Sequence, residues 1–305
     1  MANTFAPNGF QQFQGTGTTP SYEQTALAIA SGNTTPVFTG DPVIQATGTT
    51  GIGTGYITQA SAPAALSITT VAVTAGVATV TFSTTTAPAV GSTIVITGLA
   101  TTNSPLNGAF TVLSATTTTV TFNVPFQTLA SNSVTVTGYV YIPVAGVFVG
   151  CKYLSTSQKR TVWSSYWPGS DANGDVYAYV ITDPNAQFLV QTANSNTTAT
   201  AVGLANVGQN IGINYNDFTA TGEANGNTAT GQSTFFADQY TLAANYPAGY
   251  ASAGALPFRI VSLLNYQPGA TSPLVSVNGA DPTTAYNKIV VGFNYAMPNR
   301  PGAGI

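Results

Sequence analysis

The chain has 305 residues, of which only 5% are charged, and its formal net charge is −3. Because an ordinary globular chain has about 25% charged residues, this composition points to a membrane protein, a fibre or a component of an assembly. No window approaches about 18 consecutive apolar residues and the first residues form neither a basic nor an apolar signal region, so we expect neither a membrane span nor a secretory signal.

The same composition limits the partners that the chain can bind and the reactions that it can catalyse. Hydrophobic residues make up 44% of the chain and aromatic residues 10%, which predicts a folded β protein with a neutral surface. Because the chain has few charges, copies of it repel each other little, which favours a protein that functions within an assembly. The net negative charge without a basic track argues against nucleic acid. The chain has no histidine, which excludes a Ser-His-Asp or Cys-His nucleophile and a His-ligated metal.

Residues 1–21 are rich in Gln, Thr, Gly and Pro but also contain Phe5, Phe10 and Phe13. A solvated tail is not expected to carry so many aromatic side chains. We therefore predict an N-terminal arm that is loose in isolation and docks through its Phe side chains onto a neighbouring subunit. Simple terminal disorder is the alternative.

The main domain is predicted to begin over residues 22–62. Tyr22–Ala30 could open as a helix, but Gly32 and Pro36 break the pattern and the following residues alternate like a strand. This favours two strands joined by a turn. A further short strand is expected at Tyr56–Gln59.

Residues 63–138 differ in composition and are predicted to form an inserted β domain. Short runs of Val, Ile, Thr and Phe alternate with turn signals, as in Val77–Phe82 and Thr93–Thr97. About six strands at a spacing of roughly 8–12 residues indicate a small sandwich or barrel. No charged residue occurs between Asp41 and Lys152, so this domain has no titratable group for catalysis and can offer only binding or spacing.

The main domain is predicted to resume over residues 139–296, anchored by the stretch Gly146–Pro184. That stretch contains both tryptophans and half of the basic residues. Its crowded aromatic residues are typical of a packed barrel corner, and its basic residues suit salt bridges or stacking between chains. The candidate intersubunit contacts are Phe5, Phe10, Phe13, Lys152, Lys159, Arg160, Trp163, Tyr166 and Trp167.

Three further sequence features favour a structural role over a catalytic or metal-binding one. Asp171–Asp175 matches the opening of a calcium loop, but Val176 stands where that loop needs Gly, so a tight turn is the favoured interpretation and a weak cation site the alternative. Cys151 lies in an apolar alternating run and is predicted to be a small buried side chain. A carboxylate pair for glycoside hydrolysis would need two acids from different strands in one cleft, and turn contexts explain several of the available acids, such as Asp183. No catalytic, cofactor-binding or metal-binding residue is predicted.

Two sets of sequence patterns resemble known proteins. The inserted segment contains VGSTIVITGL and SPLNGAFTVLSATTTTVTF, with pattern positions at Gly91, Thr93, Ile96, Gly98, Asn107, Gly108, Phe110 and Val112. This segment resembles a small Ig-like module common in tailed-phage virion proteins. The flanks contain FTGDPV, GVFVGCKYL, WSSYWPGS, AYVITDPNAQFLVQ, TGQST and PFRIV. Together the patterns resemble the capsid decoration, or cement, proteins of tailed bacteriophages, and they cover most of residues 36–295.

With the strand patterns, this resemblance implies an all-β fold: a β-barrel or sandwich main body, an inserted Ig-like β-sandwich domain, and extended N- and C-terminal arms, the latter at residues 297–305. It implies a structural virion protein that binds the outer surface of a capsid across capsomer junctions and stabilises the shell. The expected partners are the major capsid protein of an icosahedral shell and further copies of the chain, as a trimer or dimer. No nucleic acid, membrane or cofactor is expected.

Two other functions remain open. A carbohydrate-binding or host-adsorption module of a phage tail or fibre would use Tyr166 and Trp167 as an aromatic platform. Weak glycan binding through the inserted domain is a further expectation. The major capsid protein itself would need a long spine helix, and no segment of the sequence suits one.

Overall fold

The structure is a computed structural model, and it describes residues 3–14, 24–46, 55–61, 64–83, 88, 90–96, 98–126, 128–141, 143–195, 198–214, 226–243, 256–264, 281–294 and 296. The described residues form strands joined by turns, with short 3-10 helices at Thr101–Leu106, Leu204–Asn206 and Gln239–Ala243. The prediction of an all-β fold is confirmed. The chain divides into two compact units, the first made of Met1–Ser61, Pro143–Asn245 and Ala253–Pro301, the second containing Ala62–Ile142.

The strands follow in chain order. The first unit opens with β1 (Gln11–Gln14), β2 (Thr25–Ile29), β3 (Pro42–Gln45) and β4 (Ile57–Gln59). The second unit contains β5 (Ala64–Thr74), β6 (Val77–Phe82), β7 (Thr93–Ile96), β8 (Gly108–Thr111), β9 (Ser114–Ala115), β10 (Thr119–Asn123) and β11 (Thr128–Tyr141). The first unit resumes with β12 (Val144–Leu154), β13 (Thr161–Ser164), β14 (Val176–Ile181), β15 (Gln187–Ala193), β16 (Asn210–Ile213), β17 (Gly226–Asn227), β18 (Gln232–Ser233), β19 (Ala237–Asp238), β20 (Phe258–Leu263) and β21 (Lys288–Phe293).

Five strands of the first unit close into a small barrel. β15 pairs with β21, β21 with β20, β20 with β16, β16 with β19, and β19 returns to β15. Alternation along these strands turns Phe188, Phe258 and Phe293 inward, and all three are buried. Their ring centroids lie 5.1 to 6.2 Å apart. Because each aromatic side chain buries about 150–250 Å², this cluster accounts for much of the barrel core.

Residues 3–14 pack on this barrel within the same chain. β1 pairs antiparallel with β15, and the Phe10 ring stacks on the Phe258 ring with centroids 4.4 Å apart. Phe10 is 1% exposed, and its backbone N–H donates to the Gly40 carbonyl at 2.9 Å. The prediction that Phe10 contacts a neighbouring subunit is therefore wrong, because its ring fills the core of its own chain.

The other two aromatic residues of the predicted arm differ from Phe10. The Phe5 ring packs edge-on against Phe236, with centroids 5.7 Å apart, and at a tilt against Tyr286, with centroids 5.3 Å apart. It too therefore contacts its own chain. Phe13 remains exposed on β1. The rest of the predicted arm, residues 15–21, and the predicted C-terminal tail lie outside the described residues.

A second sheet of the first unit joins β2, β14, β12, β3 and β4 in that order, with β13 added to β12. A bridge between Ala28 and Tyr56 brings the start of β4 beside β2, so the sheet curls around a core of its own. A bulge at Val149 shifts the register of β12 against β14, which keeps both Phe148 and Cys151 on the core side. The buried members of this core are Ile29, Val37, Val43, Ile57, Phe148, Cys151, Tyr153, Trp167, Val176, Ala178 and Val180.

The second unit is a single seven-stranded sheet in the order β8-β7-β11-β5-β6-β10-β9. The two long central strands, β5 and β11, carry register shifts at three places along their pairings, and such bulges bend and twist a sheet. The sheet folds over on itself, so that Phe110 of β8 stacks on Phe122 of β10 with centroids 4.3 Å apart. The resulting core is entirely aliphatic and aromatic.

Candidate functional site

The most prominent exposed surface of the first unit is the outer face of β12, β13 and β14. Strand register pairs Lys152 with Trp163 on one side and with Tyr177 on the other. Directly paired residues of a sheet point to the same face, so the three side chains form one row. Trp163 is 67% exposed and Tyr177 is 60% exposed. We call the outer face of these three strands the binding face.

Lys152 lies between the two aromatic rings. Its Nζ atom is 5.1 Å from the centroid of the Trp163 ring and 6.0 Å from that of the Tyr177 ring. These are cation–π contacts, each worth about 0.5–1 kcal/mol at an exposed site. Among the described residues, no carboxylate pairs with this ammonium group. The rings therefore hold a positive charge at the centre of the row.

An open depression of about 520 Å³ lies beside the row. Gly150, Trp163 and Tyr179 are among its lining residues. The Trp163 and Tyr179 rings are nearly parallel, with centroids 5.7 Å apart. A Cβ atom at Gly150 would lie 3.1 Å from the Ser164 carbonyl oxygen, so the close approach of β13 requires glycine there. The lining also includes Gln24, Val149, Ser164 and Ser165.

The binding face continues past the row to Leu154, which is 44% exposed. Three exposed large hydrophobic side chains, those of Leu154, Trp163 and Tyr177, therefore gather on one sheet face. The other exposed large hydrophobic side chains of the described residues are Phe13, Val90, Leu113, Leu204 and Val261. Single exposed hydrophobic residues are ordinary, whereas a contiguous apolar patch marks an interaction site.

Asp41 is the second unusual feature of the first unit. Its carboxylate is fully buried, and Oδ2 accepts hydrogen bonds from the Phe38 N–H at 2.7 Å and from Gln59 Nε2 at 2.6 Å. Its Oδ1 atom has no hydrogen-bond partner. Burial raises the pKa of Asp41 to about 7 because desolvation disfavours the charged form.

No family model, curated protein or solved structure matches this chain. Within the described residues, no helix is long and apolar enough to cross a membrane. The same residues contain no group of three or more His, Cys, Asp or Glu side chains that could hold a metal ion. The geometry of the binding face is therefore the main structural guide to function.

The structure separates the aromatic residues of the predicted platform. Trp167 is fully buried, and its Nε1 donates to the Asn33 carbonyl at 3.1 Å. Its predicted role in intersubunit or glycan contacts is wrong, because the ring lies inside its own sheet. Tyr166 is half-buried and stacks on Phe38 with centroids 5.4 Å apart. Trp163, which was predicted as an intersubunit contact and not as part of the platform, faces outward.

The predicted basic contacts remain at the surface. Lys159 and Arg160 lie exposed in the turn between β12 and β13, where Arg160 Nε donates to Gln158 Oε1 at 3.0 Å. Sequence reasoning missed Tyr177 and Tyr179. The signal for them was the alternation of β14, whose small and aliphatic residues face the core and whose tyrosines face outward.

The acids of the calcium-like turn bind donors of their own chain. The Asp171 carboxylate accepts bonds from the Ser155 and Thr156 hydroxyls and from Ser157, and these bonds lower its pKa. Asp175 accepts from the Tyr56 hydroxyl at 2.7 Å. This arrangement fits the tight turn that the sequence favoured.

Cys151 lies on the core side of β12 and is 1% exposed. Burial raises the pKa of its thiol to about 12, and its Sγ donates to the Tyr166 carbonyl at 3.4 Å. Because the thiolate is the reactive form of cysteine, this side chain packs as a small apolar group, as the sequence predicts.

Proposed function

We propose that this chain is a structural virion protein that binds the outer surface of a tailed-phage capsid across capsomer junctions and stabilises the shell. The observation that carries the proposal is the binding face, where Trp163, Tyr177 and Leu154 are exposed together. The charge-poor composition also supports the proposal, as do the sequence patterns that resemble capsid decoration proteins.

The proposed mechanism is adhesion by buried area. Specific protein interfaces bury about 1,200–2,000 Å² in total, and exposed Trp and Tyr side chains commonly dominate their binding energy. A protein that binds the assembled shell and not its separated subunits shifts the equilibrium towards the shell. Contacts between copies of the chain, as a trimer or dimer, would add further area across each junction.

The test is binding of the purified protein to expanded, undecorated capsids. We expect it to co-sediment with the shells and to raise their resistance to heat or chelator. Capsids that already carry their full complement of decoration protein are the matched control and should take up little more. A protein that stays in the supernatant and leaves shell resistance unchanged would contradict the proposal.

The depression beside the row favours a second candidate, binding of a glycan for host adsorption. Sugar rings stack on aromatic side chains, and Trp163 and Tyr179 line a depression together with Gln24, Ser164 and Ser165. The platform would be these residues in place of Tyr166 and Trp167. Glycan-array binding by the whole chain that is lost in Trp163→Ala would favour this function over capsid binding. Array binding that survives Trp163→Ala would point instead to the inserted domain.

A further inference from the structure

We propose that the binding face receives an acidic segment of the shell protein, with a carboxylate of that segment meeting Lys152 and an apolar neighbour covering Trp163. This inference rests on the proposed function, and it assigns the attachment surface and the chemistry of the partner. The juxtaposition that carries it is one ammonium group held between two exposed aromatic rings.

Charge complementarity favours a partner that carries a carboxylate. A partner that covers Trp163 and Tyr177 also removes water from the ammonium group between them. Burying an unpaired charge is costly, and an opposite charge with good geometry offsets the cost. Within the described residues Lys152 has only its two ring contacts. Because no carboxylate in the described part of the chain pairs with Lys152, we assign the anion to the partner.

The acids in the described part of the chain are already engaged by the chain itself. Every acid that the structure describes accepts hydrogen bonds from its own chain. Asp41 and Asp238 are buried as well. The acids and their donors are Asp41 with Phe38 and Gln59, Asp171 with Ser155, Asp175 with Tyr56, Asp183 with Asn185, Asp238 with Ser195, and Asp281 with Thr283. These bonds hold each described carboxylate against its own chain, which favours a different protein as the source of the anion.

The order of side chains on the binding face determines which residue pattern the partner segment needs. Lys152 occupies the centre of the row, with Trp163 on one side and Tyr177 on the other, and Leu154 lies two residues along β12 on the same face. A complementary segment therefore places an acidic residue between apolar residues. An entirely acidic segment would leave the exposed rings without apolar contacts.

The test measures co-sedimentation of the full chain with expanded capsids for four variants. We expect Lys152→Gln and Trp163→Ala each to weaken binding by about tenfold, and Lys152→Glu to weaken it further because it places like charges together. Leu204→Ala is the matched control: Leu204 is a 52% exposed hydrophobic residue elsewhere in the first unit, and we expect no change. Binding of the unaltered chain should weaken with added salt, and Lys152→Gln should reduce that dependence.

Circular dichroism and the unfolding midpoint establish that each variant is folded before binding is compared. If the unaltered chain does not bind capsids, the proposed function itself fails. If it binds and Lys152→Glu and Trp163→Ala bind equally well, the inference is overturned while the proposed function stands. Capsid binding that survives Lys152→Glu, together with loss of binding to glycans bearing a carboxylate, would assign Lys152 to sugar recognition and also overturn the inference.

Discussion

Asp41 shows how one residue can set the pH response of the fold. The carboxyl group sits in a turn whose neighbouring residue, Gly40, accepts the backbone N–H of Phe10. Its pKa rises from 3.8 to about 7 on burial, so the folded state disfavours the ionised form. The contribution of Asp41 to stability is greatest below pH of about 4, falls as the pH rises towards 7, and is constant above that.

We predict that Asp41→Asn stabilises the protein at pH 8 by on the order of 2 kcal/mol. The amide oxygen of Asn can accept the bonds from Phe38 and Gln59 that Oδ2 accepts now, without a buried charge. The free energy of unfolding, measured in urea at pH 4, 6 and 8, should show a gain that grows with pH. A gain that is equal at all three values would contradict the prediction.

Asp171→Asn is the control, for which we expect the opposite change in stability. Hydrogen bonds from Ser155, Thr156 and Ser157 lower the pKa of Asp171, so this carboxylate stabilises the fold above its ordinary pKa and loses that effect as the pH falls towards the lowered value. The variant should be less stable than the unaltered chain at pH 8, and the difference should shrink in acid.

The local sequence does not determine which of the two tryptophan side chains is exposed. Trp163 and Trp167 are four positions apart, and strict alternation would place both on one face. β13 ends at Ser164, and the chain then turns so that Trp167 bridges to Val37. One tryptophan is therefore exposed and the other fully buried. That turn depends on a contact more than a hundred residues away along the chain, which no local pattern encodes.

Single strands were predictable where apolar and polar residues alternate clearly and β-branched residues are frequent. The structure has strand β2 where a helix was the alternative, and β4 lies where a short strand was expected. The position of β1 was not predictable, because Gln11–Gln14 carries no strong strand pattern and pairs with a strand far along the chain. Its stability depends on Phe10, which enters the aromatic core of the barrel.

We predict that Phe10→Ala destabilises the first unit by about 3–5 kcal/mol, the usual cost of removing a buried Phe side chain. Phe13→Ala, on the same strand but with an exposed ring, should change stability by less than about 0.5 kcal/mol. Urea unfolding of both variants measures the difference. Hydrogen exchange of the Gln12 amide should also speed up in Phe10→Ala alone; equal effects of the two substitutions would refute the assignment of Phe10 to the core.

At the scale of the whole molecule, the second unit has a hydrophobic core of its own. Phe122, Val80 and Ile94 are fully buried within it. Each of its strands pairs with neighbouring strands of the same sheet. Composition alone indicated a separate β segment here. The joining of all seven strands in one sheet depends on the bulges of β5 and β11, which the sequence did not reveal because Thr and Val fit bulged and regular strands equally well.

We expect a fragment of residues 62–142 to fold without the rest of the chain. It should show a β-type circular dichroism spectrum and a cooperative unfolding transition, because its core is internal to the fragment. Phe122→Ala in the fragment should lower its stability by about 3–5 kcal/mol or prevent folding. A fragment with a disordered spectrum under all conditions would show that its core needs the first unit.

The burial of Cys151 makes the folded molecule behave as a cysteine-free protein towards thiol reagents. It is the single cysteine of the chain, and its thiol is both covered and strongly protonated. A cysteine introduced on either unit can therefore carry one probe without background labelling. Conversely, slow modification of the native thiol by a maleimide would report each opening of the sheet beneath the binding face. Comparing its rate with and without capsids would show whether the proposed attachment keeps that sheet closed.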